Sequence, residues 1–108
     1  METFRTDRYR KRAERLFTEG ELQQAENEVT VRPEHWPVIR GTGGCRKARA
    51  GRRGSGKSGG VRIIYFYRSR HGAIYFMDIY PKSEQDDLSA ADKVAMRNLV
   101  KTIQEHER

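Results

Sequence analysis

The sequence predicts an α+β fold with an N-terminal helical hairpin, a three- to four-stranded antiparallel sheet and a C-terminal helix. Two observations lead to this prediction. The segments 61–67 (VRIIYFY) and 73–80 (AIYFMDIY) are rich in β-branched and aromatic residues, and the short turn Ser69–Gly72 separates them, which is typical of a β-hairpin. Segments with helix-capping signals precede and follow this hairpin. At 108 residues the chain is expected to form one domain, 1–108.

Capping residues mark the start of each predicted helix. Thr6 is placed to cap a first helix that runs to about Phe17. Residues 18–21 (TEGE) have the pattern of a capping box and open a second helix, which ends before Pro33. Residues 89–92 (SAAD) begin the last helix, whose apolar positions form one stripe.

The remaining segments complete the predicted sheet. The turn Gly41–Gly44 leads into a short strand, Cys45–Ala50, and Glu2–Arg5 is a candidate edge strand. Residues 51–60 (GRRGSGKSGG) are expected to form a flexible, cationic loop. The strand at 61–67 is apolar throughout, so we expect it to be central and buried on both faces. The helices are expected on one face of the sheet, leaving the other face for a ligand.

Positive charge is concentrated in the middle of the chain. The net charge is +7, and the stretch from His35 to Met77 contains ten Lys or Arg residues and no acidic residue. A concentrated positive field attracts polyanions and speeds their capture. A solvated basic surface without a ligand is the alternative, but acidic residues normally intersperse on such surfaces. The charge distribution therefore favours a nucleic-acid partner.

Cysteine and histidine usage argues against disulfides and metal sites. Cys45 is the single cysteine, which fits a reducing compartment, and it has no neighbouring base. His35, His71 and His106 are far apart and lack the spacing of metal ligands, so no cofactor is expected. The N-terminus has no apolar core of a signal peptide and no run is long enough to span a membrane, which predicts a cytoplasmic protein.

Residues 51–58 match the phosphate-binding pattern G-x-x-x-x-G-K-[ST] letter for letter. That loop cradles phosphates only between a strand and a helix, because it depends on the helix N-terminus. Here Gly59, Gly60 and a predicted strand follow, so we do not expect nucleotide hydrolysis. The same residues fit a pliable loop that brings cations to an RNA backbone.

A group of cations is expected to converge on one sheet face. Lys47 and Arg49 alternate along a strand and share a face, Arg62 lies in the next strand, and Lys82 follows the last one. Such a group suits RNA cleavage by a 2′-hydroxyl, which needs proton transfer and stabilisation of a charged phosphorane. Passive phosphate binding by the same residues is an equal alternative. Tyr80 is a candidate to stack on a base or position a phosphate, and further RNA or ribosome contacts are expected from Arg46, Arg52, Arg53, Lys57 and Arg68.

Three ordered motifs resemble one protein family. The motifs are GTGGCRKAR, GKSGGVRIIYFY and IYFMDIYPKSEQDDLSAADK, and the resemblance that they carry covers residues 38–100. They are similar to the RelE/HigB toxin superfamily, and most similar to its HigB-type branch. The resemblance implies an α+β toxin that cleaves mRNA in the ribosomal 30S A site without a metal. It also implies a helix-turn-helix, HigA-like antitoxin, through which the pair contacts operator DNA.

The resemblance also assigns roles to individual residues. Lys47, Arg49 and Arg62 match the phosphate-handling cations of the family. Where RelE has an arginine after the last strand, this chain has Ser83 beside Lys82, and where RelE has a catalytic tyrosine it has Ser89. Tyr80 and Lys82 are therefore the candidates for the missing catalytic roles. Two alternatives remain: a ParE-like inhibitor of DNA gyrase, and an RNA-binding module without catalysis.

Overall fold

A computed structural model describes residues 1–51, 60–85 and 87–106, and in these ranges the protein has three α-helices and a four-stranded sheet. The predicted α+β class and order of elements are confirmed. None of the described helices is long and apolar enough to cross a membrane. The elements in chain order are β1, Glu2–Arg5; α1, Asp7–Leu16; α2, Glu19–Val31; β2, Arg46–Ala50; β3, Val61–Arg68; β4, Ala73–Pro81; and α3, Ala90–His106.

Each helix begins at the capping residue that the sequence indicates. The Thr6 hydroxyl accepts a hydrogen bond from the Tyr9 amide at 3.1 Å at the start of α1. Thr18 and Glu21 form both bonds of a capping box at the start of α2. The Ser89 hydroxyl accepts from the Asp92 amide at 3.1 Å before α3. These bonds satisfy amide donors that a helix leaves unpaired in its first turn.

The sheet has the strand order β1-β4-β3-β2. β2 and β4 both run antiparallel to β3, as predicted for this part of the sheet. The expected edge strand Glu2–Arg5 is present, but it pairs with β4 in parallel, so the sheet is mixed. Two helices and two strands separate β1 from β4 along the chain. No tight turn therefore forces an antiparallel pairing between them.

The helices cover both faces of the sheet, and the expectation that they share one face is wrong. α1 and α2 pack on one face, against a cluster that includes Ile63, Tyr65 and Phe76. α3 packs on the other face, against a cluster that includes Ile64 and Phe66. Because β3 presents buried apolar side chains alternately to both sides, as predicted, each side needs a cover.

The glycine-rich segment before β2 is a structural turn. Gly41, Gly43 and Gly44 all have positive φ angles, which glycine adopts without the steric cost of a side chain. Thr42 is buried within this turn, where its hydroxyl donates to the Ile39 carbonyl at 2.7 Å and accepts from the Cys45 amide at 3.0 Å. The turn lets residues 37–39 pair along the outer edge of β2, which sets the position of that strand.

Candidate active site

The strand register brings the predicted cations together. Arg49 on β2 lies opposite Arg62 on β3, and Arg62 in turn lies opposite Tyr80 on β4. Lys47 lies opposite Ile64, so alternation places its side chain on the same side as Arg49, Arg62 and Tyr80. This is the side covered by α3. We call Lys47, Arg49 and Arg62 the cationic face.

The charges of the cationic face are poorly compensated. Arg49 is exposed and Arg62 is half-buried, and neither forms an ion pair with any residue in the described part of the chain. Like charges placed directly opposite each other in a sheet destabilise it. An arrangement that costs stability within the fold is expected where a bound anion, here a phosphate, restores the balance.

One acidic side chain reaches the cationic face. The Asp87 carboxylate lies 3.9 Å from Lys47 Nζ, and 57% of the Asp87 side chain is exposed. Its Oδ1 also accepts a hydrogen bond from the Leu88 amide at 2.8 Å, just before α3. The contact between Asp87 and Lys47 was not predicted from the sequence. No local pattern signals a contact between residues forty positions apart that only the seating of α3 on the sheet creates.

Tyr80 and Lys82 occupy different environments near this face. Tyr80 is only 2% exposed and packs in the cluster under α3, so little of its ring is accessible to an RNA base. Lys82 is exposed in the turn after β4, where its backbone amide donates to the Gly60 carbonyl at 3.0 Å. Lys82 therefore lies at the sheet end where β3 begins, close in the register to Arg62.

The structure does not bring two predicted RNA-binding residues to the cationic face. Arg46 lies opposite Tyr65, on the α2 side of the sheet, and its guanidinium donates to the carbonyls of Glu34 and Trp36. Arg68 lies at the other end of β3, roughly 20 Å along the strand from Arg62, and donates to the Ile103 carbonyl at 3.2 Å. The predictions for Arg52, Arg53 and Lys57 lie outside the described residues.

Cys45 and His71 occupy positions that fit a structural role. Burial raises the pKa of the Cys45 thiol to about 11, despite its hydrogen bond with Thr42, so the thiol is protonated at neutral pH. His71 is exposed in the turn between β3 and β4. Among the described residues, no three His, Cys, Asp or Glu side chains are placed to hold a metal ion.

The nucleotide-binding pattern at 51–58 falls mostly outside the described residues, but its surroundings are visible. The segment that follows it is strand β3, as predicted, and not the helix that such a loop requires. Residues 74–78 (IYFMD) resemble the apolar strand ending in aspartate that holds magnesium in enzymes with such a loop, but Asp78 is buried and bound to Arg12 at 2.9 Å. Its carboxylate is therefore already committed to arginine.

The cationic face is chemically suited to a phosphodiester. Arginine presents a planar fork of donors that matches two phosphate oxygens, and Arg49 and Arg62 provide two such forks side by side. Lys47 adds a third cation on the same side of the sheet, and its ammonium group lies 3.9 Å from the Asp87 carboxylate. The face can therefore bind a phosphate and stabilise additional negative charge on it.

Comparison with solved structures identifies proteins that share this fold. The chain is similar to the toxin in the intact E. coli RelBE toxin–antitoxin complex, with 20% identity, a TM-score of 0.55, and coverage of 72% of this chain and 92% of that one. It is also similar to a mutant of E. coli toxin RelE in the free state, with 18% identity, a TM-score of 0.57, and coverage of 89% and 95%. At these identities the likeness establishes the fold.

A family model establishes more than the fold. The model that describes the RelE toxin of the RelE/RelB toxin–antitoxin system matches residues 1–108. The motifs 41–49 and 56–67 that suggested this family contain the three residues that the register assembles into the cationic face. The chain therefore belongs to the RelE toxin family.

Proposed function

We propose that this toxin is an endoribonuclease that cleaves translated mRNA in the ribosomal A site and thereby arrests growth. The observation that carries the proposal is the cationic face: Arg49 and Arg62 lie opposite each other without an acidic partner in the described residues, and Lys47 lies beside them. Membership of a toxin family and the fold shared with E. coli RelE support the same function.

The proposed reaction is attack of a ribose 2′-hydroxyl on the adjacent phosphorus. The 2′-oxygen loses its proton and bonds to phosphorus, and the 5′-oxygen of the next nucleotide leaves with a proton. The products are a 2′,3′-cyclic phosphate and a free 5′-hydroxyl. In this scheme Arg49 and Arg62 stabilise the negative charge of the phosphorane, because their donors are already in place before the reaction begins.

Proton transfer is assigned to the lysines. Lys47 lies on the same side of the sheet as Arg49 and Arg62, next to the phosphate that they would bind, and we assign it the transfer of the 2′-hydroxyl proton. Lys82 is exposed at the end of β4 and is the candidate to neutralise the leaving 5′-oxygen. We assign Tyr80 a supporting role, since its buried ring packs beneath the cationic face beside Arg62. The lysines and arginines then serve as the charged catalysts in place of a metal ion.

The proposed partners follow from this function. The ribosome supplies the mRNA in a fixed geometry, which lowers the entropic cost of aligning the 2′-hydroxyl with the phosphate. E. coli RelE forms a complex with RelB, and we propose that an antitoxin likewise neutralises this chain. A helix-turn-helix, HigA-like antitoxin would also bring the pair to operator DNA. We propose that the chain acts in the cytoplasm as a single toxin domain.

The test is a map of new mRNA 5′ ends after controlled expression in bacteria. We expect cuts inside reading frames, in phase with codons, for the wild type and not for Lys47→Ala/Arg62→Ala. Lys101→Ala/Arg70→Ala is the matched control, because it removes the same charges from exposed positions outside the cationic face. Growth arrest without new 5′ ends would overturn the nuclease, and a DNA supercoiling assay would then test gyrase inhibition.

A second test addresses the chemistry on programmed ribosomes. A single 2′-deoxy substitution at the nucleotide before the cut removes the attacking oxygen and should abolish cleavage, while leaving the phosphate intact. Cleavage that persists at this deoxynucleotide would exclude the 2′-hydroxyl mechanism.

A further inference from the structure

Beyond the end of β1, helix α1 lies along the edge of β4 that β1 leaves unpaired. β1 pairs with β4 only as far as Arg5 and Phe76. The chain then turns into α1, with the Thr6 amide donating to the Phe76 carbonyl at 3.0 Å and the Thr6 hydroxyl donating to the Met77 carbonyl at 2.8 Å. The second half of β4, which carries Tyr80, is therefore flanked by α1 instead of a strand.

Asp78 holds the basic side of α1 against this part of β4. Its carboxylate is buried in the sheet and binds Arg12 Nη1 at 2.9 Å, while Arg8 Nε lies 3.4 Å from its other oxygen. Arg8 and Arg12 are four residues apart and so lie on one side of the helix. Arg15, three residues further on, extends this side toward the end of β4.

An open cavity of about 230 Å³ lies between α1 and the end of β4. Arg12, Arg15 and Leu16 line it from the helix, Tyr80 and Pro81 line it from the strand, and Glu84 lies at its rim. The cavity thus combines two guanidinium groups with an apolar wall, of which Leu16 is the more accessible part and Tyr80 and Pro81 are buried. We call it the α1 pocket.

The charge of the α1 pocket is only partly compensated. Arg15 is exposed and forms no ion pair with any residue that the structure describes, whereas Arg12 shares Asp78 with Arg8. Among the described residues that line the pocket, Glu84 is the one that carries an acidic side chain. An exposed arginine beside an apolar wall can bind a phosphate while a base or sugar packs on that wall.

The α1 pocket lies beside the cationic face. Tyr80 lines the pocket and lies opposite Arg62, which lies opposite Arg49. Adjacent strands are about 4.8 Å apart, so Arg49 is roughly 10 Å from Tyr80 across the sheet. The order Arg49, Arg62, Tyr80, α1 pocket therefore crosses the sheet nearly perpendicular to its strands, which places the pocket next to the cationic face.

We propose that the α1 pocket binds a nucleotide of the RNA adjacent to the one cleaved, with its phosphate on Arg15 and Arg12 and its base or sugar against the half-buried Leu16. This inference rests on the proposed RNA substrate and adds to it a second site that positions the strand. Arg15 binds substrate here and takes no part in the chemical step.

The test measures binding of a short, fully 2′-O-methylated, single-stranded RNA, which cannot be cleaved, by fluorescence anisotropy across a salt series. We expect Arg15→Gln to weaken binding about 5- to 10-fold and to reduce the salt dependence by about 0.7, the contribution of one phosphate contact on a single strand. The matched control is Arg10→Gln, an exposed arginine of the same helix that does not line the pocket and should bind within twofold of the wild type.

Two further variants sharpen the result. Glu84→Gln removes the acidic residue at the rim and should strengthen binding, while Arg15→Lys keeps the charge without the fork of donors and should restore part of the affinity. Equal affinities for Arg15→Gln and Arg10→Gln would overturn the inference, as would a failure of the wild type to bind the RNA at low salt.

The outcome for the α1 pocket is separable from the outcome for the nuclease. If Arg15-dependent binding is found but the wild type cuts no mRNA on ribosomes, the pocket stands as an RNA site and the proposed nuclease falls. If the wild type cuts mRNA and both arginine variants bind and cut alike, the nuclease stands and the pocket falls.

Discussion

Arg49 and Arg62 lie directly opposite each other on β2 and β3, and neither has an acidic partner within residues 1–51, 60–85 and 87–106. Opposed like charges in a sheet cost on the order of 0.2–1 kcal/mol. In a stable fold this cost is retained only where the charges serve another purpose. Removal of one charge of this pair should therefore raise the stability of the protein and lower its activity.

Arg49→Gln should make the protein more stable and less active. We expect the free energy of unfolding to rise by up to about 1 kcal/mol as the repulsion is removed, and cleavage on programmed ribosomes to fall by about 100-fold as a phosphate donor is lost. Urea unfolding and single-turnover cleavage measure the two effects. Arg70→Gln, an exposed control in the turn after β3, should change neither. If Arg49→Gln instead lowers the free energy of unfolding, and the loss of folded protein accounts for the whole loss of cleavage, then Arg49 acts through the fold alone.

The cationic face could be predicted from the sequence because it depends on alternation within one strand and on the pairing of that strand with the next strand in the chain. Alternation along a strand places Lys47 and Arg49 on one side, and the adjacent strand adds Arg62. The capping bonds of Thr6, Thr18 and Ser89 were likewise visible, since each lies within three residues of its partner.

The features that sequence reasoning missed depend on contacts between distant elements. The parallel direction of β1, the seating of α3 on the second face and the approach of Asp87 to Lys47 are all set by packing across the sheet. The carbonyls of Glu34 and Trp36 that bind Arg46 belong to an irregular segment, in which no periodicity indicates where a backbone carbonyl will lie. The sequence therefore indicated the charge of Arg46 but not these two hydrogen bonds, and its contact with RNA stays a prediction.

Gly60 should not tolerate a side chain, whereas Gly51 should. A Cβ at Gly60 would lie 2.9 Å from the Ala50 carbonyl oxygen, so the backbone next to Arg49 would have to move. We expect Gly60→Ala to lower the free energy of unfolding by about 1–3 kcal/mol and to reduce cleavage. Gly51→Ala is the matched control, because a Cβ there meets nothing within 4 Å. Thermal unfolding and cleavage of both variants test this, and an unchanged Gly60→Ala protein would contradict it.

Cys45 should be unreactive until the protein unfolds. Burial raises the pKa of its thiol from 9.0 to about 11, which leaves about a hundredfold less of the reactive thiolate at a given pH, and the side chain is also inaccessible. We expect negligible labelling by a thiol reagent at pH 8 in the folded state and stoichiometric labelling in urea. Rapid labelling without denaturant would show that the cluster beneath α3 opens readily in solution.

Asp78 should make the stability of the protein depend on pH in an unusual direction. Burial raises the pKa of its carboxyl group above the ordinary value, and the charges of Arg12 and Arg8 offset this only in part. A group with a raised pKa binds its proton more tightly in the folded state than in the unfolded state. Its contribution to stability is therefore greatest below the unfolded pKa and is lost as the pH rises through the folded pKa.

Comparison of Asp78→Asn and Asp92→Asn isolates this effect. The stability of the wild type relative to Asp78→Asn should fall as the pH rises from about 4 toward neutrality. The Asp92 pKa is lowered, because hydrogen bonds from Arg8 and Ser89 and the charge of Arg8 outweigh its burial. The stability of the wild type relative to Asp92→Asn should therefore rise over the acidic range in which Asp92 ionises. Urea unfolding at a series of pH values measures both differences, and slopes of the same sign would mean that the arginines, and not burial, dominate the ionisation of Asp78.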